Sequence, residues 1–213
     1  MLVERFALNP IGTNTYVIAT ENKDAFILDP CATDMTPVLT YVQTHQLSVV
    51  AVINTHCHFD HVMGNEVIRE ALGVPLWLHS VELPGLLEAP SMAEQWLGVR
   101  IETRAPDRFL QDGEVLDLGD PHDAVSLQVM LTPGHSPGGL CFYDAQAGVL
   151  FSGDTLFAGT VGRTDLKGSN SQDLVSSLRD KLWPLPDHTI VYPGHEDETT
   201  IGEERMVNPY FHF

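Results

Sequence analysis

The run Thr55-His56-Cys57-His58-Phe59-Asp60-His61 places four strong metal-ligand side chains within six residues. It follows directly on the apolar stretch Val49-Val50-Ala51-Val52-Ile53. A strand that breaks into such a turn delivers several side chains to one point. Charges beside a buried strand are tolerated when they are paired or hold an ion. Imidazole and carboxylate donors suit zinc, iron or manganese and need no thiolate. Cys57 lies inside the run, but alternation along the chain points it away from its two histidine neighbours. It reads as a neighbour of the site, not a ligand.

Three further segments repeat the layout. His135 follows Val129-Met130-Leu131-Thr132-Pro133-Gly134, Asp154 follows Val149-Leu150-Phe151-Ser152-Gly153, and His195 follows Thr189-Ile190-Val191-Tyr192-Pro193-Gly194. Each is an apolar run, a turn of small residues, then a ligand type. Glycine and proline end the strand and let the backbone come close to a compact centre. His45, His79, His122, His188 and His212 lack this setting and receive no role.

The chain has 213 residues and 43% apolar composition, enough for one domain with a substantial core. No apolar stretch reaches the roughly 18 residues of a membrane helix. The start, Met1-Leu2-Val3-Glu4-Arg5-Phe6, lacks the basic-then-apolar layout of a signal peptide. Cys31, Cys57 and Cys141 show no framework spacing and fit reduced thiols. These features predict a soluble cytoplasmic protein without a membrane partner. A net charge of −18, with 11 Lys and Arg, would repel phosphate backbones and argues against a nucleic-acid partner.

Patterning predicts strands over Leu2 to Leu8, Thr15 to Thr20, Ala25 to Leu28 and Val49 to Ile53. Met35, Val38, Leu39 and Val42 carry a helical period that Thr33 or Asp34 can cap. A helix is expected from Asn65 to Leu72 and a short strand from Pro75 to Leu78. Residues 80–106 read as a helical insertion near the mouth of the site. Further strands are expected near 114–118, 125–131, 140–143, 149–152 and 189–192. Leu174, Val175, Leu178 and Leu182 mark a helix capped by Ser171. Two strand-rich halves, each with helices, suggest two packed sheets with helices outside and ligands at one edge.

In order along the chain, these segments resemble the metallo-β-lactamase superfamily, and within it the glyoxalase II-like hydrolases. The resemblance rests on Ile27-Leu28-Asp29-Pro30, the 55–61 run, Thr132-Pro133-Gly134-His135-Ser136, Gly153-Asp154-Thr155-Leu156-Phe157 and Pro193-Gly194-His195. It extends to the tail from Thr199 through Asn208-Pro209. It implies a single domain over residues 1–213 with an α/β fold, the αβ/βα four-layer sandwich of two mixed sheets with helices on the outer faces. It implies two divalent metal ions, zinc first, iron or manganese as alternatives. His56, His58 and His135 would hold one ion, Asp60, His61 and His195 the other, and Asp154 would bridge. Asp154 stands where many β-lactamases of the superfamily carry cysteine, which favours the dinuclear hydrolase branch. Asp29 would orient a ligand or simply end its strand.

The chemistry this implies is thioester hydrolysis, most directly of S-D-lactoylglutathione or a related hydroxyacyl thioester. A water shared by two metals about 3.5–4 Å apart ionises near neutral pH. Asp60 could also accept the nucleophile's proton. Full-length glyoxalase II enzymes carry a C-terminal helical extension that holds glutathione, and this chain stops at Phe213 without one. Arg163, in a loop shared with the shorter bacterial members, would either pair with a substrate carboxylate or with Asp165. Glu196-Asp197 stands where similar short chains often carry glycine after the last histidine. Tyr210, Phe211 and Phe213 are expected to dock on the body or at a homo-oligomer interface. Two rival activities share the motifs: a persulfide dioxygenase with one iron on His56, His135 and Asp154, and a lactone hydrolase.

Overall fold

The computed structural model describes residues 1–120 and 124–212. His122 and Phe213, both considered above, lie outside the described residues. Two compact units divide the chain, Met1–Leu110 with Asp117–Val125, and Gln111–Leu116 with Ser126–Phe213.

The first unit carries a six-stranded sheet in the order β1 (Leu2–Ala7), β2 (Asn14–Ala19), β3 (Asp24–Leu28), β4 (Ser48–Ile53), β5 (Leu76–His79), β6 (Arg108–Leu110). β1, β2 and β3 pair antiparallel, and β3 through β6 pair parallel. Parallel neighbours need crossovers. These are α1 (Thr36–His45), the pair α2 (Phe59–Val62) and α3 (Asn65–Leu72), and α4 (Leu83–Leu97) after a 3-10 turn at Ser80–Glu82. Val17, Ala25, Ile27, Val52, Leu76 and Leu78 pack one face of the sheet against Met35, Val38, Ile68 and Leu86 of the crossovers. The alternate residues Tyr16, Ile18, Phe26, Leu28 and Ile53 are buried as well. Burial on both faces is why these strands read as continuous apolar runs instead of alternating ones.

The second sheet runs β14 (Thr199–Thr200), β13 (Ile190–Pro193), β10 (Val149–Gly153), β9 (Leu140–Asp144), β8 (Val125–Leu131), β7 (Val115–Leu118). Beside it stand the short hairpin of β11 (Leu156–Phe157) and β12 (Thr160–Val161), α5 (Ser171–Ser177) and α6 (Ile201–Val207). Cys141, Tyr143, Leu150 and Val191 of the sheet pack against Leu174, Leu178, Leu182, Ile201 and Phe211. Phe211 therefore docks on the body, while Tyr210 stays exposed. No helix among the described residues is long and apolar enough to cross a membrane.

Most expected elements recur within a residue or two at each end. The caps differ. Met35, not Thr33 or Asp34, is the N-cap of α1; it is buried in the core, and Asp34 instead accepts the Thr36 N–H from just outside the helix. Asn170, not Ser171, caps α5 by accepting from Gln172 and Asp173 N–H. Beyond α5 the backbone widens to π geometry over Leu178–Leu182, and Val175 faces outward. The 80–106 segment is helical only through Leu97, with Pro90 inside the helix. β6 and the two strands of the 156–161 hairpin are two or three residues long and carry no periodic signal, and α6 is a further element beyond those expected.

All three cysteines are free and buried. Burial pushes the Cys141 thiol up to about 11 despite hydrogen bonds from Thr132 and Thr155. Burial also raises Cys31, and it raises Cys57 well above the usual range with help from the Glu82 and Asp29 carboxylates. Thiols held protonated and away from solvent are poor nucleophiles. Native protein at pH 8 should therefore give almost no fast reaction with Ellman's reagent, and all three thiols should react in denaturant. Stoichiometric labelling without denaturant would contradict this burial.

Candidate metal centre

Ligand-type side chains leave each sheet at the carboxyl ends of strands that run the same way. In the first unit β3 ends at Asp29, β4 at the 55–61 turn, and β5 at His79. In the second, β8 and β10 are both antiparallel to β9, and β10 is parallel to β13. β8, β10 and β13 thus share a direction, and His135, Asp154 and His195 follow their carboxyl ends. Strand ends of this kind are where open α/β sheets bind ligands.

A single buried carboxylate organises the first set. Asp29 is 2% exposed and has a left-handed φ of 50°. Its Oδ1 accepts the Thr55 N–H at 2.8 Å, and its Oδ2 accepts the Thr55 hydroxyl at 2.6 Å. Oδ2 also lies 3.0 Å from His61 Nδ1. A carboxylate only accepts, so His61 carries its proton on Nδ1 and its lone pair on Nε2. The same logic fixes His56. Thr55 has spent its only hydroxyl proton on Asp29, so the 3.1 Å contact between Thr55 Oγ1 and His56 Nδ1 requires Nδ1–H to donate. His56 therefore presents its lone pair on Nε2, 3.0 Å from His58 Nδ1. Asp29 is an orienting residue, the first of the two roles considered for it.

Asp60 completes this set. Thr13 donates its hydroxyl to Asp60 Oδ2 at 2.7 Å, and the same oxygen lies 3.6 Å from His61 Nε2. The candidate ligand atoms of His56 and His61, and of Asp60 and His61, fall within 4.8 Å of each other. Asn54, fully buried, spans His61 O, Asp29 and Asn65 from beneath. Cys57 points into the apolar core of the unit. Thr13, Asn54, Asn65 and Glu82 were missed in the sequence; each acts through a contact distant along the chain, and none lies in a ligand-like run.

The second set is built the same way. His135 Nδ1 meets the Arg163 carbonyl at 2.9 Å, which makes Nδ1 the donor and leaves Nε2 as the acceptor. Asp154 Oδ2 then lies 3.4 Å from His135 Nε2 and 3.5 Å from His195 Nε2. The Arg163 guanidinium is exposed and grips Asp165 with two hydrogen bonds of 2.6 and 2.8 Å. That pair raises the arginine pKa and lowers that of Asp165. Arg163 thus serves the site through its backbone, and its side chain takes the Asp165 alternative. Gly162 lets this loop pass: a Cβ there would fall 1.9 Å from the Asp154 carbonyl oxygen and 3.0 Å from the His135 ring. His79 Nδ1 is buried without a hydrogen bond, and nothing gives it a ligand role.

These donors fit a metal. Contacts of 3.4 to 3.6 Å between imidazole Nε2 and carboxylate oxygens are long for hydrogen bonds. They match ligands about 2.1 Å from a shared tetrahedral ion, which stand about 3.4 Å apart. One Asp154 oxygen stands at that spacing from two imidazoles, those of His135 and His195.

A model of the metallo-beta-lactamase superfamily matches residues 8–195, a span that runs across both units. Hydroxyacylglutathione hydrolase GloC of Haemophilus influenzae is 33% identical, over 99% of this chain and 98% of its own. Among solved structures, the BLEG-1 B3 metallo-beta-lactamase superposes with a TM-score of 0.90 at 37% identity, covering 100% of both chains. TTHA1623 in a di-iron-bound form gives 0.87 at 38% identity, covering 97% of this chain and 99% of that one. ETHE1 from Myxococcus xanthus gives 0.81 at 26% identity, covering 98% and 84%.

Replacing Asp29 with alanine would strand the Thr55 N–H and hydroxyl and release the His61 ring. The variant should lose about 2–4 kcal/mol of stability and bind metal about 10–100-fold more weakly. Denaturant titration and metal content by mass spectrometry test this. Unchanged metal content would remove Asp29 from the centre.

Proposed function

The chain belongs to the metallo-β-lactamase superfamily of metal-dependent hydrolases, and we propose that it cleaves acyl thioesters at a dinuclear centre. The proposed substrate is S-D-lactoylglutathione or a related hydroxyacyl thioester, a reading supported by the likeness to GloC along nearly its full length. The observation that carries the dinuclear part is the placing of Asp154 Oδ2 between His135 and His195. In this reading the two units act as one functional domain. His56, His58 and His135 would hold one ion, Asp60, His61 and His195 the other, and Asp154 would be shared. Zinc is the metal proposed first; the di-iron form of TTHA1623 supports iron as its rival.

When bound, the ions would supply a nucleophile at neutral pH and polarise the thioester carbonyl. The chain's residues do the rest. Asp29 and the Arg163 carbonyl lock the tautomers of His61 and His135, so their Nε2 atoms are preset as donors. Thr55 does the same for His56. Asp60, steadied by Thr13, would act first as a ligand and would also take up the proton released as the C–O bond forms. The C–S bond then breaks, and the sulfur leaves as a thiolate, a group stable enough to need little acid assistance. Preset ligands reduce the reorganisation needed in the transition state.

A second reading, a persulfide dioxygenase with one iron on His56, His135 and Asp154, is fitted as well by the TTHA1623 and ETHE1 likenesses. Zinc- and iron-loaded protein should be assayed on S-D-lactoylglutathione, with a β-lactam as control and oxygen uptake on glutathione persulfide in parallel. Thioester turnover is expected, and Asp154→Ala should lower kcat by at least about 100-fold while its circular dichroism stays native. Oxygen uptake by the iron form without thioester cleavage would replace this reading with the second. Full activity in metal-loaded Asp154→Ala would end the dinuclear assignment.

A further inference from the structure

Behind the 55–61 turn sits a buried acid that the proposed reaction does not use. Glu82 closes the 3-10 turn after β5 and is only 3% exposed. Its Oε2 accepts the backbone N–H of Cys57 at 2.8 Å. Cys57 links His56 to His58, so this bond holds the peptide that joins two candidate ligands.

The other sides of that peptide are held too. The first turn of α4 presses on it: a Cβ at Gly85 would lie 3.3 Å from the Cys57 carbonyl oxygen and 3.4 Å from the Cys57 Cβ. The Cys57 side chain is packed in the apolar core. N–H, carbonyl and side chain are thus each confined, two of them by the segment that begins at Ser80. The turn is clamped from behind, and both histidines project from the clamped peptide.

We propose that Glu82 is a positioning residue for the metal centre, holding the Cys57 peptide so that His56 and His58 converge on one ion. An amide would accept the same N–H. The carboxylate adds a full negative charge on the far side of the turn, where low dielectric lets it act over several ångströms on a divalent cation. Glu82 therefore contributes in two separable ways, by its hydrogen bond and by its charge. This inference rests on the reading of His56 and His58 as ligands.

The test is zinc affinity, measured by competition with a chromophoric chelator, alongside thermal melts. Wild type, Glu82→Gln, Glu82→Ala and, as a control, His56→Ala are compared. Glu82→Ala should bind zinc about 10–100-fold more weakly, the usual cost of losing a residue that orients a ligand. Glu82→Gln keeps the acceptor, so it should recover most of that loss while remaining weaker than wild type. If Glu82→Ala does not fold, Glu82→Gln still tests the charge, and Glu82→Leu, which fills the space without an acceptor, tests the bond. Wild-type affinity in every Glu82 variant that folds would overturn the proposal. An alanine variant that is weak beside a glutamine variant equal to wild type would keep the positioning role and remove the role of charge. Wild-type affinity in His56→Ala would instead overturn the ligand reading underneath.

Discussion

The Asp29 carboxylate is the contact on which the candidate ligands of the first unit depend. It is buried, it sits on left-handed backbone, and it precedes a proline, three features that each disfavour it. Its hydrogen bonds offset these costs. Thr55 N–H, Thr55 Oγ1 and His61 Nδ1 all point at it, and Asn54 approaches from the side. The backbone carbonyl of Asp29 is itself capped by Thr15 from β2. The strained φ turns the side chain across the top of β4, so the β3 strand end reaches into the ligand turn of its neighbour.

One consequence is that the histidines are oriented by groups that can only accept. A carboxylate fixes His61, an already committed hydroxyl fixes His56, and a backbone carbonyl fixes His135. Each leaves Nε2 as the acceptor. The choice of tautomer is therefore written into the apolar framework through strand register, not left to the ion. The donor set that results is all nitrogen and oxygen. Cys57, the one sulfur in the ligand run, is kept protonated by burial and by two nearby carboxylates. A borderline donor set without thiolate suits zinc and iron alike.

How much of this was legible in the sequence follows from the range of each interaction. His56, His58, Asp60 and His61 stand out as candidates because they fall within six residues, and His135, Asp154 and His195 because each follows an apolar run and a small-residue turn. The strands were legible for the same local reason. Asp29 was half legible: its strand-end position showed, but its orienting role depends on the β3–β4 register. Thr13, Asn54 and Glu82 were illegible, since a threonine 47 residues from Asp60, or a glutamate 25 residues from Cys57, carries no local mark. The caps failed differently. Ser171 and Asp34 have the right chemistry, but Asn170 and the buried Met35 hold the cap positions because the core sets where each helix begins.

The second set of candidate ligands cannot be treated as separate from its flanking loop. Gly162 passes so close to the Asp154 carbonyl and the His135 ring that no side chain fits between them. One residue on, the Arg163 carbonyl takes the His135 proton. At the start of the hairpin, Phe157 sets its ring edge-on to His195, 6.0 Å between centroids. Glu204 of α6 accepts the Gly159 N–H, and Asn208 donates to the Thr160 carbonyl, so the hairpin is pinned from the C-terminal side. A displacement of residues 156–163 would therefore carry His135 and His195 with it. Any contact made by this loop would be felt directly at His135 and His195, and changes in α6 would reach them by the same path.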